Sequence, residues 1–181
     1  MKTIQSSNLQ SLQNYLINSG QKPEFKEADT VQNYERLEVK INTQINGETK
    51  FWPIEFAFMP GIETSLPGFC VLQCFVPVTA SVPHRFAPVL SEMCNLINSK
   101  LVLGGFGFLN NYQLLFFKHN LIFSVTNINI HLTIVNEVIN LISYFLISFH
   151  EAFNNVILEK MNMKEAFKAM PLHKLYENDV M

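Results

Sequence analysis

The sequence predicts an α+β domain: helix, three antiparallel strands, helix, two strands and a long helix, with the helices packed on one twisted antiparallel sheet. Three observations carry this. Apolar residues recur at helical spacing near the start, in the middle and towards the end of the chain. Between those stretches the apolar period drops to two. An Asn-Gly dipeptide, the strongest short hairpin signal, separates two alternating runs.

The first helix is read from Leu9, Leu12 and Leu16, with Ser6 or Ser7 as N-cap and Gly20 as the left-handed stop. Residues 21–30, with Pro23, read as a polar connection. Leu37, Val39, Ile41 and Ile45 then share one face of a strand, and Arg36, Glu38 and Lys40 the other. A two-residue turn at Asn46-Gly47 pairs Ile45 with Glu48, and therefore Ile41 with Trp52, Val39 with Ile54 and Leu37 with Phe56. Three same-face pairs come out apolar on apolar, and a slip of one residue destroys that match. Pro53 falls opposite Lys40, where its missing N–H is no loss to the hairpin. On its other side it predicts a strand edge or a bulge.

Residues 61–68 read as a loop and 69–78 as the third strand. Pro83 and Pro88 bracket the start of a second helix, from about Phe86 to Leu101, with Phe86, Leu90, Met93 and Ile97 as its apolar stripe and Cys94 beside it. Gly104-Gly105 is its expected stop. A second hairpin turns at Asn110-Asn111, and Leu114 to Phe117 is apolar on both faces, as in a central strand. Asn127 or Asn129 is the expected cap of a long helix reaching about Lys160, followed by a short helix over 163–170. Without a repeat or linker, residues 1–172 read as one domain and 173–181 as a polar tail.

Composition narrows the function classes. Hydrophobic residues make up 48% of the 181 and charged residues only 15%, with 16 Phe. A surface so thinly covered by charge predicts apolar area shared with a partner or a second copy. The net charge of −2 and the lack of any Lys/Arg cluster argue against nucleic acid. The start of the chain does not read as a signal peptide, and three cysteines then point to a reducing, cytoplasmic compartment. The apolar run over 128–149 is interrupted by His131, Asn136, Glu137 and Asn140, so it reads as a buried or dimer-forming helix and not as a membrane span.

Catalytic patterns are not found. Cys70 and Cys74 share a strand face roughly 13 Å apart at ~3.3 Å per residue, too far to bond or to share a metal ion. With Cys94 they read as buried small hydrophobes. His84, His119, His131, His150 and His173 show no ligand spacing, and the neighbours His150 and Glu151 point apart on a helix. The glycines at 104, 105 and 107 lack the lysine and the following helix of a phosphate loop. The chain is therefore expected not to be an enzyme and to need no cofactor or metal. Its remaining constellation is apolar: Phe51, Phe58, the loop over 60–67, and Phe116 or Phe117, read either as a large core or as a groove for a segment of another protein.

The element order resembles the type III secretion chaperone fold, which the YbjN-like bacterial family shares. Asn95-Leu96-Ile97-Asn98, Gly104-Gly105-Phe106-Gly107-Phe108, the Asn-Asn turn and Tyr112-Gln113-Leu114-Leu115-Phe116-Phe117 are similar to YbjN-like sequences in their helix-end Asn, Gly-aromatic strand and apolar strand. The resemblance implies a non-catalytic homodimer that escorts a secreted or effector protein. It places the dimer contact on the middle helix, at Leu90, Met93, Cys94 and Ile97, and client segments on apolar patches of the sheet. The alternatives are a YbjN-like regulatory or stress-related protein, and a small-molecule binder with a deep polar pocket holding at least two histidines or carboxylates.

Overall fold

The structure, a computed structural model, describes residues 4–30, 32–45, 47–125 and 132–170. Helix α1 spans Ile4–Asn18. Strands β1 (Glu24–Lys26), β2 (Arg36–Ile45) and β3 (Glu48–Phe58) follow, then a single helical turn, α2 (Ile62–Ser65), and β4 (Phe69–Thr79). A 3₁₀ turn over His84–Phe86 leads into α3 (Ala87–Asn98). Strands β5 (Gly105–Leu109) and β6 (Leu114–Ser124) come next, then α4 (Thr133–Ile157) and α5 (Met163–Ala169). The six strands form one sheet in the order β1-β2-β3-β4-β6-β5, and every neighbouring pair is antiparallel.

The β2–β3 register is the one the hairpin rule demands: Ile45 faces Glu48, Ile41 faces Trp52, Val39 faces Ile54 and Leu37 faces Phe56. Asn46 lies outside the described residues, and Gly47 has a φ of +79°. These pairs matter because each puts two apolar side chains on the face that becomes the core. Leu37, Val39, Ile41, Trp52, Ile54 and Phe56 are all buried there.

One face of the sheet, the inner face, carries this core. Helix α4 crosses it diagonally: His150 meets Trp52 of β3 edge-on, Phe145 packs on Phe117 of β6, and Phe149 and Phe153 enclose Phe106 of β5. By length and composition α4 would suffice to cross a membrane, yet half of its most apolar window is buried in this packing. Helix α1 lies on the same face, with Leu9, Leu12 and Leu16 buried and Asn8 reaching the Cys70 sulfur at 3.9 Å. It ends in paired bonds, Gln21 N–H to Leu16 O and Gly20 N–H to Ile17 O, which satisfy two of its last carbonyls. Helix α3 closes the β5 end with Leu90, Met93, Cys94 and Ile97.

Several boundaries differ from expectation. Ser6 and Ser7 lie inside α1, so neither is its N-cap; Ser6 instead bonds the Glu35 carboxylate at 2.8 Å. The polar connection holds a three-residue edge strand, β1, too short and too charged to show a period. Helix α3 stops at Asn98, six residues before Gly104, because the Asn98 side chain turns to hold β5. Asn127 and Asn129, the expected caps of α4, lie outside the described residues, as do His131 and the tail over 171–181. Helix α5 begins in a capping box between Asn162 and Glu165.

Pro53 has the consequence its side of the strand demands. The β3–β4 ladder runs from Phe58↔Leu72 to Glu55↔Phe75 and stops. Two residues further in the same register Pro53 would face Pro77, and neither has an N–H to give. The sheet forks there. On its other side β4 continues along β6 as far as Thr79, across an irregularity between Pro77 and Thr79.

Candidate functional site: the uncovered face of the sheet

The opposite, outer face of the sheet bears no helix among the described residues, and its composition divides at β3. Antiparallel partners share a face, so Glu24, Glu38, Lys40 and Glu55 point outward on β1, β2 and β3. This half is charged and internally paired. Glu24 meets Lys26 at 2.9 Å and Lys40 at 3.0 Å, and these two ammonium groups hold its carboxyl down to about 2. Arg36 meets Asp29 at 3.2 Å and Glu55 at 3.8 Å. Charge on an edge strand also guards it against stray pairing.

On β4 and β6 the outer face is richer in apolar residues. Val71 stands opposite Ile122, Pro77 opposite Phe116, and Phe69 opens the row. Phe75 and Phe116 stack with ring centroids 5.2 Å apart. The Phe116 ring continues over Gly107 of β5, where a Cβ atom would come within 2.4 Å of it. Glycine is thus needed at 107 so that an aromatic ring can lie flat on the neighbouring strand. Ile122 is 64% exposed and Phe69 47%, while Phe75 and Phe116 are half-buried. The result is two apolar patches on one face, Phe69, Val71 and Ile122 at one end and the flat aromatic pair with Pro77 at the other, separated by the polar pair Gln73 and Asn120, with exposed Lys118 opposite Phe75.

The residues singled out from the sequence divide accordingly. Leu90, Met93, Cys94, Ile97, Phe58 and Phe117 are each 3% exposed or less. Their side chains are used up in the protomer's own core, so the α3 stripe has no surface to offer a second copy. Phe116 lies on the outer strip, and Phe51 is exposed at the tip of the β2–β3 hairpin. Sequence reading missed Phe69, Val71, Phe75 and Ile122. The signal was present: the alternation in β4 and β6 has apolar residues on both faces, which is the mark of a strand whose second face is also meant to be covered.

The three cysteines are buried, and burial raises the Cys74 thiol and pushes the Cys94 thiol up to about 12, so neither of these two offers a thiolate. A cleft of about 330 Å³ lies between the hairpin tip and the end of α4, lined by Glu48, Lys50, His150, Glu151, Asn154 and Lys160 among others. It brings together a histidine and two carboxylates, the groups a small-molecule site would need. Two of the three are engaged: Glu48 with Lys50 at 2.9 Å, and His150 Nε2 with the Asn154 amide at 2.8 Å.

Burial lowers the pKa of His150 and of His119, and the nearby Lys50 charge adds to the effect at His150. A buried neutral histidine takes its proton later than the same residue in the unfolded chain, whose ordinary value is 6.5. As pH falls below that value the unfolded state gains protons first and stability drops, levelling off below the folded pKa. Urea midpoints measured from pH 7.5 to 5 are expected to fall with acidification. His150→Asn is expected to flatten that dependence.

No protein-family model matches the chain, and no curated protein sequence is similar to it. The functional reading therefore rests on the molecule's own surfaces.

Proposed function

We propose that the chain is a non-catalytic protein-binding domain resembling bacterial secretion chaperones, which takes an apolar segment of a secreted or effector protein on the outer strip of β4, β6 and β5. The observation that carries this reading is the uncovered apolar half of the sheet. A fold that had only to bury its own core would place polar side chains outward on both halves, as it does on β1 and β2. Here Phe69, Val71, Phe75, Phe116 and Ile122 share one side, in two patches on either hand of the Gln73–Asn120 pair. The resemblance around Asn98 and the 104–108 glycine-aromatic strand supports the same reading.

The test is substitution on the strip without disturbance of the core. Ile122→Asp and Val71→Asp put charge where an apolar segment would dock, and neither position faces the inner core. Each is expected to weaken binding of a client, co-purified from the native cell and mapped by protease protection, at least tenfold. Stability from urea unfolding is expected to stay within about 0.5 kcal/mol of the parent for Ile122→Asp, which is 64% exposed, and to fall somewhat more for Val71→Asp, which is half-buried. A client whose protected segment and affinity both ignore these substitutions would refute the proposal.

A further inference from the structure

Beyond the fork, β3 is an open strand edge. In a two-residue hairpin the residues flanking the turn exchange both backbone bonds, and the pattern then alternates. Glu48, Lys50 and Trp52 therefore bond across to β2, and Thr49 and Phe51 direct their N–H and C=O groups the other way. Pro53 fits this parity, since the residue without an N–H also faces away from β2. The β4 ladder ends at Glu55, and no backbone bond reaches Thr49 or Phe51 among the described residues. Phe51 beside them is 64% exposed.

We propose that this edge pairs with a second copy of the chain, β3 running antiparallel to the partner's β3 about Thr49. The charges select that occupant and that register. Centred on Thr49, the pair sets Glu48 opposite the partner's Lys50 and Lys50 opposite the partner's Glu48, with Thr49 facing its own copy. Opposite charges and paired threonines are favourable cross-strand neighbours. Glu48 and Lys50 already form an ion pair within the chain at 2.9 Å, so the two copies close a ring of four alternating charges. Phe51 falls over the partner's Gly47, the aromatic-on-glycine arrangement that Phe116 and Gly107 make inside the fold. The neighbouring register, with Phe51 facing Thr49, would instead set Lys50 against the partner's Lys50. A two-fold contact must be self-complementary, and this pentapeptide is. Pro53 limits the overlap to residues 47–51, so the two sheets join tip to tip and their bodies stay apart.

The experiment is sedimentation velocity on the full chain over a concentration series. A reversible dimer is expected. Thr49→Pro removes the central N–H bonds and leaves the β2–β3 ladder intact, because Thr49 faces Gln44 across a pair that exchanges no bonds. Two bonds at roughly 1 kcal/mol each correspond to at least tenfold weaker dimerisation, while the urea midpoint, measured dilute enough to keep the chain monomeric, changes only by the exposed Gln44–Thr49 side-chain bond that is lost. Lys50→Glu opposes like charges and is expected to weaken the dimer. Glu48→Lys with Lys50→Glu restores opposite charges and is expected to recover it. A chain that stays monomeric throughout, or a dimer indifferent to Thr49→Pro and to the charge reversals, overturns the proposal. Protection of the Thr49 and Phe51 amides only when a client is added assigns the edge to the client and overturns it as well. Because the Asp substitutions on the outer strip leave the tip untouched, failure here and failure of client binding are separately visible.

Discussion

Adding one methyl group at Gly104 is expected to cost roughly 3–5 kcal/mol, enough to take a domain of ordinary stability close to unfolding. Two effects add. Gly104 has a φ of +69°, a conformation that charges any L side chain about 1–2 kcal/mol. Its Cβ would also lie 2.5 Å from the Phe117 ring and 2.9 Å from the Lys118 carbonyl oxygen. Neither neighbour can give way. Phe117 is 1% exposed and wedged between Phe106 and Phe145, and the carbonyl belongs to the β6 backbone. Gly20 supplies the control, because it shares the positive φ (+84°) but has nothing within 4 Å of the added carbon. Gly20→Ala is expected to lower the urea midpoint modestly, by the backbone penalty alone. Gly104→Ala should lower it several times further at unchanged m-value. Equal losses at the two positions would show that packing around Phe117 is softer than its geometry implies.

Asn98→Ala is expected to cost about 2–4 kcal/mol, and Asn98→Asp at least as much. Asn98 acts as a strand that is not there. Its Nδ2 donates to the Phe106 carbonyl and its Oδ1 accepts from the Phe106 N–H, both at 2.8 Å. One amide group thus occupies both outward backbone groups of Phe106 on the edge strand β5. Alanine leaves both without a partner. Aspartate keeps the acceptor but sets a carboxylate against a carbonyl, which is why the near-isosteric change offers no rescue. The freed edge is also a template for pairing with other chains, so both variants are expected to aggregate on heating more readily than the parent. The check is the urea midpoint together with light scattering on a temperature ramp.

Legibility in the sequence followed the range of the interactions involved. The β2–β3 register could be read because the turn is local and three apolar pairs had to match at once. Helix α3's stripe was equally plain, since Leu90, Met93, Cys94 and Ile97 repeat at helical spacing. Which surface those residues meet is a non-local matter, and there the reading went astray: the stripe is buried within its own protomer. Strand β1 was missed because Glu24–Lys26 has no period of its own and exists only by pairing with Arg36–Glu38. Asn98 stood out as a helix-end residue, but its partner eight residues on was invisible without coordinates. The outer strip was half legible. Phe116 was named, whereas Phe69, Val71, Phe75 and Ile122 acquire meaning only once β4 and β6 are neighbours.

The paired prolines bear on how the molecule opens as well as on how it is built. A sheet with continuous ladders unzips as one unit, but a break at Pro53 and Pro77 divides this one into two cooperative segments. Residues 39–54 are tied mainly to each other, through a turn of minimal loop length, and such a hairpin can form within microseconds, before any distant contact exists. The β4–β6–β5 segment has to wait for α4 to close over it. Amide exchange is therefore expected to step at residue 55: faster and mutually similar rates in the hairpin tip, slow rates near the global limit in β4 and β6. The protein carries, in two residues without an N–H, the boundary between the part that breathes and the part that holds.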